Sequence, residues 1–264
     1  MEIAGYAASV LIGLSLGLIG GGGSILTVPI LVYFFHIDPV LTTTYSLFVV
    51  GLTSSAGTIS HYRKGNVNLN IALIFGVPSL IAVFSMRKWV MPSIAHHLMN
   101  IGNFELTKGV LLMLVFALLM LAASVSMIRK KDTNNKISRP GKISYTKLIL
   151  QSLIVGIVTG FVGVGGGFLI IPSLVLFAGL PMKKAVGTSL LVMTISSLLG
   201  VLGDVSRHTS INYLFLFRFS AFAIAGIIAG SYLTKYIADT KLKPAFGWFV
   251  LLMGIFVLIS TLTK

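Results

Sequence analysis

Two runs of glycine carry most of the chemistry this sequence can offer. The first is Gly20, Gly21, Gly22 and Gly23 followed by Ser24; the second is Gly163, Gly165, Gly166 and Gly167. Glycine weakens a helix by about 1 kcal/mol per residue relative to alanine, so each run is expected to interrupt a helix. Where a new helix begins after the break, its first N–H groups lack an intrahelical acceptor and the macrodipole ends positive. Without a Cβ, that backbone is open to close approach by a ligand. Two such ends facing each other make a site for a small oxyanion without any enzyme-like side chain. Close helix packing is the competing explanation, and Gly13/Gly17, Gly156/Gly160 and Gly226/Gly230 have the small-xxx-small spacing that serves it. Four glycines within a span of five residues or fewer exceed that need.

Side chains that could join such a site are few. Ser46, Thr188 and Ser189 open the segments that follow the glycine runs. Their hydroxyls can donate to an anion's oxygens or bond back to their own helix. Arg218 lies inside an apolar run, where an ionised group is costly and usually turns inward. It is expected to meet the anion, to pair with Asp204, or to snorkel to the interface. His61 and Asp204 occupy equivalent positions after the two runs and are the candidates for carrying a proton. His96 and His97 are adjacent and cannot both face one point on a helix, so neither a metal nor a cofactor is expected. No H-E-x-x-H, G-x-S-x-G or Walker pattern occurs, and Phe168 stands where a dinucleotide fingerprint beginning at Gly163 needs glycine.

The elements that position these residues are duplicated. At an offset of 143 residues, Gly17, Gly20, Gly22, Gly23, Leu26 and Pro29 meet Gly160, Gly163, Gly165, Gly166, Leu169 and Pro172 without a gap. Outward, Gly13 meets Gly156, Thr44-Tyr45-Ser46-Leu47 meets Gly187-Thr188-Ser189-Leu190, and Gly57 meets Gly200. This is an internal repeat of four hydrophobic segments. Residues are 56% hydrophobic and 10% charged, and several apolar runs reach the roughly 20 residues a bilayer crossing needs. The chain reads as an all-α polytopic membrane protein with membrane lipids as its surroundings. The net charge of +14 does not indicate nucleic acid, because Lys and Arg collect at segment ends and in one linker rather than on an aromatic-interleaved face. The absence of cysteine excludes disulfides and thiolate sites. The first residues lack the basic region of a cleaved signal peptide, so the first segment is expected to stay.

The sequence divides into a first transmembrane repeat (1–128), a basic linker (129–145) and a second repeat (146–264). The stretch from Arg87 to Lys108, with Trp89, Pro92, His96 and His97, reads as a segment at the membrane surface. Two threadings compete. Each glycine-broken region either crosses once, giving eight simple spans in parallel repeats, or enters and returns as a helical hairpin beside three crossings. The hairpin gathers more of the Lys and Arg on one side, which favours it under the positive-inside bias. The linker is then cytoplasmic, both termini lie outside, and the two repeats insert with opposite orientation, a recurrent transporter architecture.

The paired glycine pattern ending in Leu26/Pro29 and Leu169/Pro172, followed by Ser46-Leu47 and Ser189-Leu190, resembles the sulfite exporter TauE/SafE family, also called the toluene-sulfonate uptake permeases. The likeness covers nearly the whole chain. It implies a secondary transporter of small sulfur-containing anions such as sulfite, sulfonates or sulfoacetate in the cell membrane, working by alternating access and without enzymatic activity. One departure is Tyr45, which stands where the second copy keeps Thr188. A passive anion channel and an intramembrane enzyme or assembly factor remain as alternatives; the latter would need catalytic groups inside the bilayer, where the sequence offers Arg218 and Asp204.

Overall fold

The structure is a computed structural model that describes residues 2–21, 23–95, 97–101, 104–128, 145–205, 211–233 and 239–263. Gly22 and almost all of the central linker lie outside them. The first half holds α1 (Glu2–Ile19), α2 (Ser24–Phe34), α3 (Pro39–Arg63), α4 (Leu69–Ser85), the short α5 (Met91–Ser93) and α6 (Lys108–Ile128). The second holds α7 (Tyr145–Val162), α8 (Gly167–Phe177), α9 (Met182–Val205), α10 (Tyr213–Leu233) and α11 (Asp239–Leu262). Leu69–Ser93, Tyr145–Val162, Met182–Asp204 and Tyr213–Leu233 are each long and apolar enough to cross a membrane.

The core is apolar, as in a water-soluble bundle, but much of the surface is apolar too and the interior also admits polar groups. Leu73, Ile81, Leu150, Leu202, Leu214 and Phe217 are exposed, while Thr44, Ser46, Thr53, Ser54, Ser189 and Ser197 are buried. The helix α3, 25 residues long, has Asp38 as its N-cap, accepting from Val40 N at 2.8 Å, and Pro39 in its first turn. It runs through the interior antiparallel to α9. Thr44 meets Asp204 at one end, Thr194 donates to Ser54 Oγ at 3.1 Å near the middle, and His61 meets Gly187 at the other end.

The remaining helices pair by close backbone approach. Tyr6 stacks among Phe215, Phe219 and Phe222, and Gly13 and Gly17 lie against Ala223 and Gly230, so α1 and α10 run parallel. Gly156 lies against Ser79 and Gly160 against Val83, so α4 and α7 run parallel as well. These are the small-residue pairs whose spacing suggested packing, and packing is their role. The first glycine run ends α1, and α2 folds back along it. Gly23 sits on Ile12 and Leu16, and the Phe35 ring beyond α2 packs edge-on against Tyr6 near the start of α1, 5.8 Å between centroids.

The stretch after α4 departs from the surface segment expected there. The helix continues through a π-helical turn, Met86–Val90, into α5, and a two-stranded hairpin, β1 (His97–Ile101) with β2 (Phe104–Thr107), follows. Trp89 is exposed, but Arg87 is 2% exposed and Lys108 is buried, its ammonium donating to the Met91 carbonyl. Each cation is drawn inward because a fixed acceptor waits there, and for Arg87 the acceptors belong to other helices.

Candidate functional site

The side chain of Arg87 leaves the π-helical turn and enters the space between α3, α9 and the second glycine run. Such a turn inserts an extra residue into the helix and re-aims the side chains around it. Nη1 donates to Asp204 Oδ2 at 2.8 Å and to Thr43 Oγ1 at 2.8 Å. Thr44 Oγ1 donates to the same Asp204 oxygen at 2.8 Å, and the Thr43 hydroxyl donates to the Val40 carbonyl. The carboxylate thus has two donors and the guanidinium two acceptors, all buried. Nε and Nη2 have no partner. Three N–H groups therefore remain, and two of them, on Nε and Nη2, lie on the Nε–Nη2 edge that matches two oxygens of an oxyanion.

Nη2 faces the second glycine bend. A Cβ at Gly163 would overlap Arg87 Nη2 and Thr43, and the residue has φ +75°, which side-chain-bearing residues rarely adopt. Beyond it, Gly165 lies against Val50 and the Ser197 hydroxyl, and Gly166 against the Thr159 hydroxyl. Both hydroxyls are buried and unpartnered. The bend opens into α8, whose first N–H groups have no intrahelical acceptor. The two bends meet: a Cβ at Gly21 would run into the Gly167 carbonyl, and Gly167 lies against the Gly21 Cα. Only glycine permits main chains to pass this closely.

The residues singled out from the sequence are distributed unevenly around this centre. Gly21, Gly163, Gly165, Gly166, Gly167 and Asp204 come together in it. Gly20 lies against Val186 and Ile171, and Gly23 against α1. Ser24 donates to the Gly21 carbonyl and Ser189 to the Val186 carbonyl, the back-bonded alternative for both hydroxyls. Thr188 accepts from Asn68 N at 3.0 Å and so ties α9 to the start of α4. Ser46 is buried with its hydroxyl unpartnered, and His61 is buried with neither ring nitrogen bonded. Arg218 is exposed on α10 and is not brought to the cluster. Gly22 lies outside the described residues. Among the described residues, no group of three or more His, Cys, Asp or Glu is arranged to hold a metal ion.

Arg87, Thr43, Thr44, Ser197 and Thr159 are the participants that sequence reasoning missed. One signal was available. Asp204 closes an apolar run in a chain with few acids, and a buried carboxylate needs a cation. Arg87 sits at the end of a comparable run, but next to Lys88 and Trp89 it has the pattern of an interfacial anchor.

Comparison with known proteins gives the arrangement its family. The model of the family described as sulfite exporter TauE/SafE matches residues 6–257. The chain belongs to the TauE/SafE family. It is 30% identical over 253 residues to a probable membrane transporter protein of Xylella fastidiosa, covering 94% of this chain and 91% of that one. It is 25% identical over 238 residues to the probable membrane transporter protein YdhB of Bacillus subtilis, covering 89% and 91%. A probable membrane transporter protein of Methanocaldococcus jannaschii is 25% identical over 268 residues, covering 95% and 94%. No solved structure matches. This TauE/SafE protein is thus a member of a family of membrane transporters, with helices fit to span a bilayer.

Proposed function

We propose that this chain is a secondary transporter that carries a small anion, sulfur-containing as the family description suggests, across the cell membrane by alternating access. The anion is held at the second glycine bend against Arg87. The observation that carries this is the unpartnered Nε–Nη2 edge of a buried guanidinium turned onto Gly163. A buried cation with donors left over is stabilised by an incoming oxyanion, and Ser197, Thr159 and the first amides of α8 lie along the same bend as further donors. A sulfite or sulfonate group offers three oxygens for these donors.

The packing supports an inverted repeat as the frame. Corresponding helices exchange partners, α1 with α10 and α7 with α4, while α3 and its counterpart α9 cross antiparallel. With α1 and α2 forming a hairpin, the ends of the chain fall on one side and the central linker on the other. The basic residues at the end of α3 and the start of α9 join the linker, and the positive-inside bias supports a cytoplasmic assignment of that side. Rocking of one repeat against the other around the touching bends would expose the site to each side in turn.

The test is counterflow in proteoliposomes loaded with sulfite or methanesulfonate. Wild type exchanges at least one of the two without measurable conductance, and Arg87→Gln reduces that exchange by about a hundredfold, in line with loss of a charge-assisted bidentate contact. Exchange unchanged in Arg87→Gln overturns the site, and an uncoupled conductance overturns the transporter assignment in favour of a channel.

A further inference from the structure

Arg87 is already neutralised by Asp204, so a bound anion has a competitor. The guanidinium and carboxylate sum to zero charge, and both are buried, Arg87 at 2% and Asp204 at 5% exposure. A monovalent anion on the Nε–Nη2 edge leaves the cluster with a net negative charge in a low-dielectric interior, where uncompensated charge is costly. The groups facing Asp204 among the described residues offer little further compensation. Thr43 and Thr44 of α3 do not titrate in this range. Gly163 and the rest of the bend carry no charge. From the turn after α4, Lys88 follows Arg87, but it is exposed, with its ammonium over Phe84 and Trp89 at 5.4 and 5.8 Å. A proton on Asp204 restores neutrality, and the Thr44 hydroxyl, which donates to the carboxylate, can rotate to accept a hydrogen bond from it.

At the equivalent place in the other half the described residues hold no such pair. At the offset of 143 residues, His61 corresponds to Asp204, Gly187 to Thr44 and Gly230 to Arg87. His61 meets Gly187 as Asp204 meets Thr44, but among the described residues no guanidinium bonds it. Among the described residues the ion pair is built at one end of the α3–α9 crossing.

We propose that Asp204 is the proton carrier of this transporter: an arriving anion takes up the free edge of Arg87, Asp204 binds a proton from water, and one monovalent anion moves with one proton. This rests on the anion site proposed above. Movement of the loaded site is then electroneutral and is driven by a pH gradient rather than by membrane potential.

The experiment is a proton count on the purified protein in detergent, titrated with methanesulfonate or sulfite in weakly buffered solution with a pH dye. Wild type is expected to take up about one proton per methanesulfonate bound. Asp204→Asn binds the anion with no uptake, and in proteoliposomes it loses pH-driven accumulation. Asp204→Glu keeps the proton count with weaker binding, which supports the assignment if Asp204→Asn does not insert. Anion binding without proton uptake in wild type overturns the coupling while leaving the site in place, as does undiminished uptake in Asp204→Asn. Failure of both anions to bind overturns the anion site and the coupling with it.

Discussion

Removing one member of the Arg87–Asp204 pair should damage this protein more than removing both. At 2.8 Å the two charges attract by about 6 kcal/mol at an effective dielectric of roughly 20. Desolvation of two buried ions takes back several kcal/mol each, so the intact pair is close to neutral against an uncharged pair of the same shape. A single substitution keeps the desolvation and loses the attraction. Arg87→Gln strands a carboxylate and Asp204→Asn strands a guanidinium, each at a cost of about 3–5 kcal/mol. In the double variant the two amides can still bond each other and Thr43, and its stability should fall within about 1 kcal/mol of wild type. The assay is the fraction of monodisperse protein recovered after heating in detergent, for wild type, both single variants and the double variant, with sulfite counterflow on the same samples. The expected pattern is two destabilised single variants and a double variant that is stable yet does not transport. Additive losses would refute the buried pair as described, and a double variant that exchanges anion like wild type would refute Arg87 as the site.

Two further outcomes follow from the geometry. Arg218→Ala should leave exchange within about twofold of wild type, because surface substitutions away from packed features change little and Arg218 is exposed on α10; a large loss in initial-rate counterflow would restore it to the pathway. Gly163→Ala should cost about 1–2 kcal/mol of backbone strain and push the guanidinium from the bend, so the apparent affinity for anion falls by tenfold or more while membrane insertion is retained; unchanged affinity in equilibrium binding would separate the bend from the site.

The sequence by itself determined the solvent, the family and the backbone breaks. Apolar run length and scarcity of charge placed the chain in a membrane, because a bilayer leaves few other ways to bury so many apolar residues. The glycine runs were legible because helix breaking is a local property, and the packing glycines because small-residue spacing is periodic along one helix. The role of Arg87 was not legible. Whether a cation at the end of an apolar run snorkels outward or turns inward depends on what stands opposite it, and here that is Thr43 and Asp204 on α3 and α9. The reverse holds for Arg218, whose position inside an apolar run made the interior one option, while the rotation of α10 against α1 turned it out. The same limit applies to hydroxyls: Ser24 and Ser189 bond their own helices, whereas Thr44 reaches a carboxylate 160 residues away. Helix rotation and the meeting of distant ends are set by packing among all the segments, so only the tertiary structure decides which polar group ends up facing which.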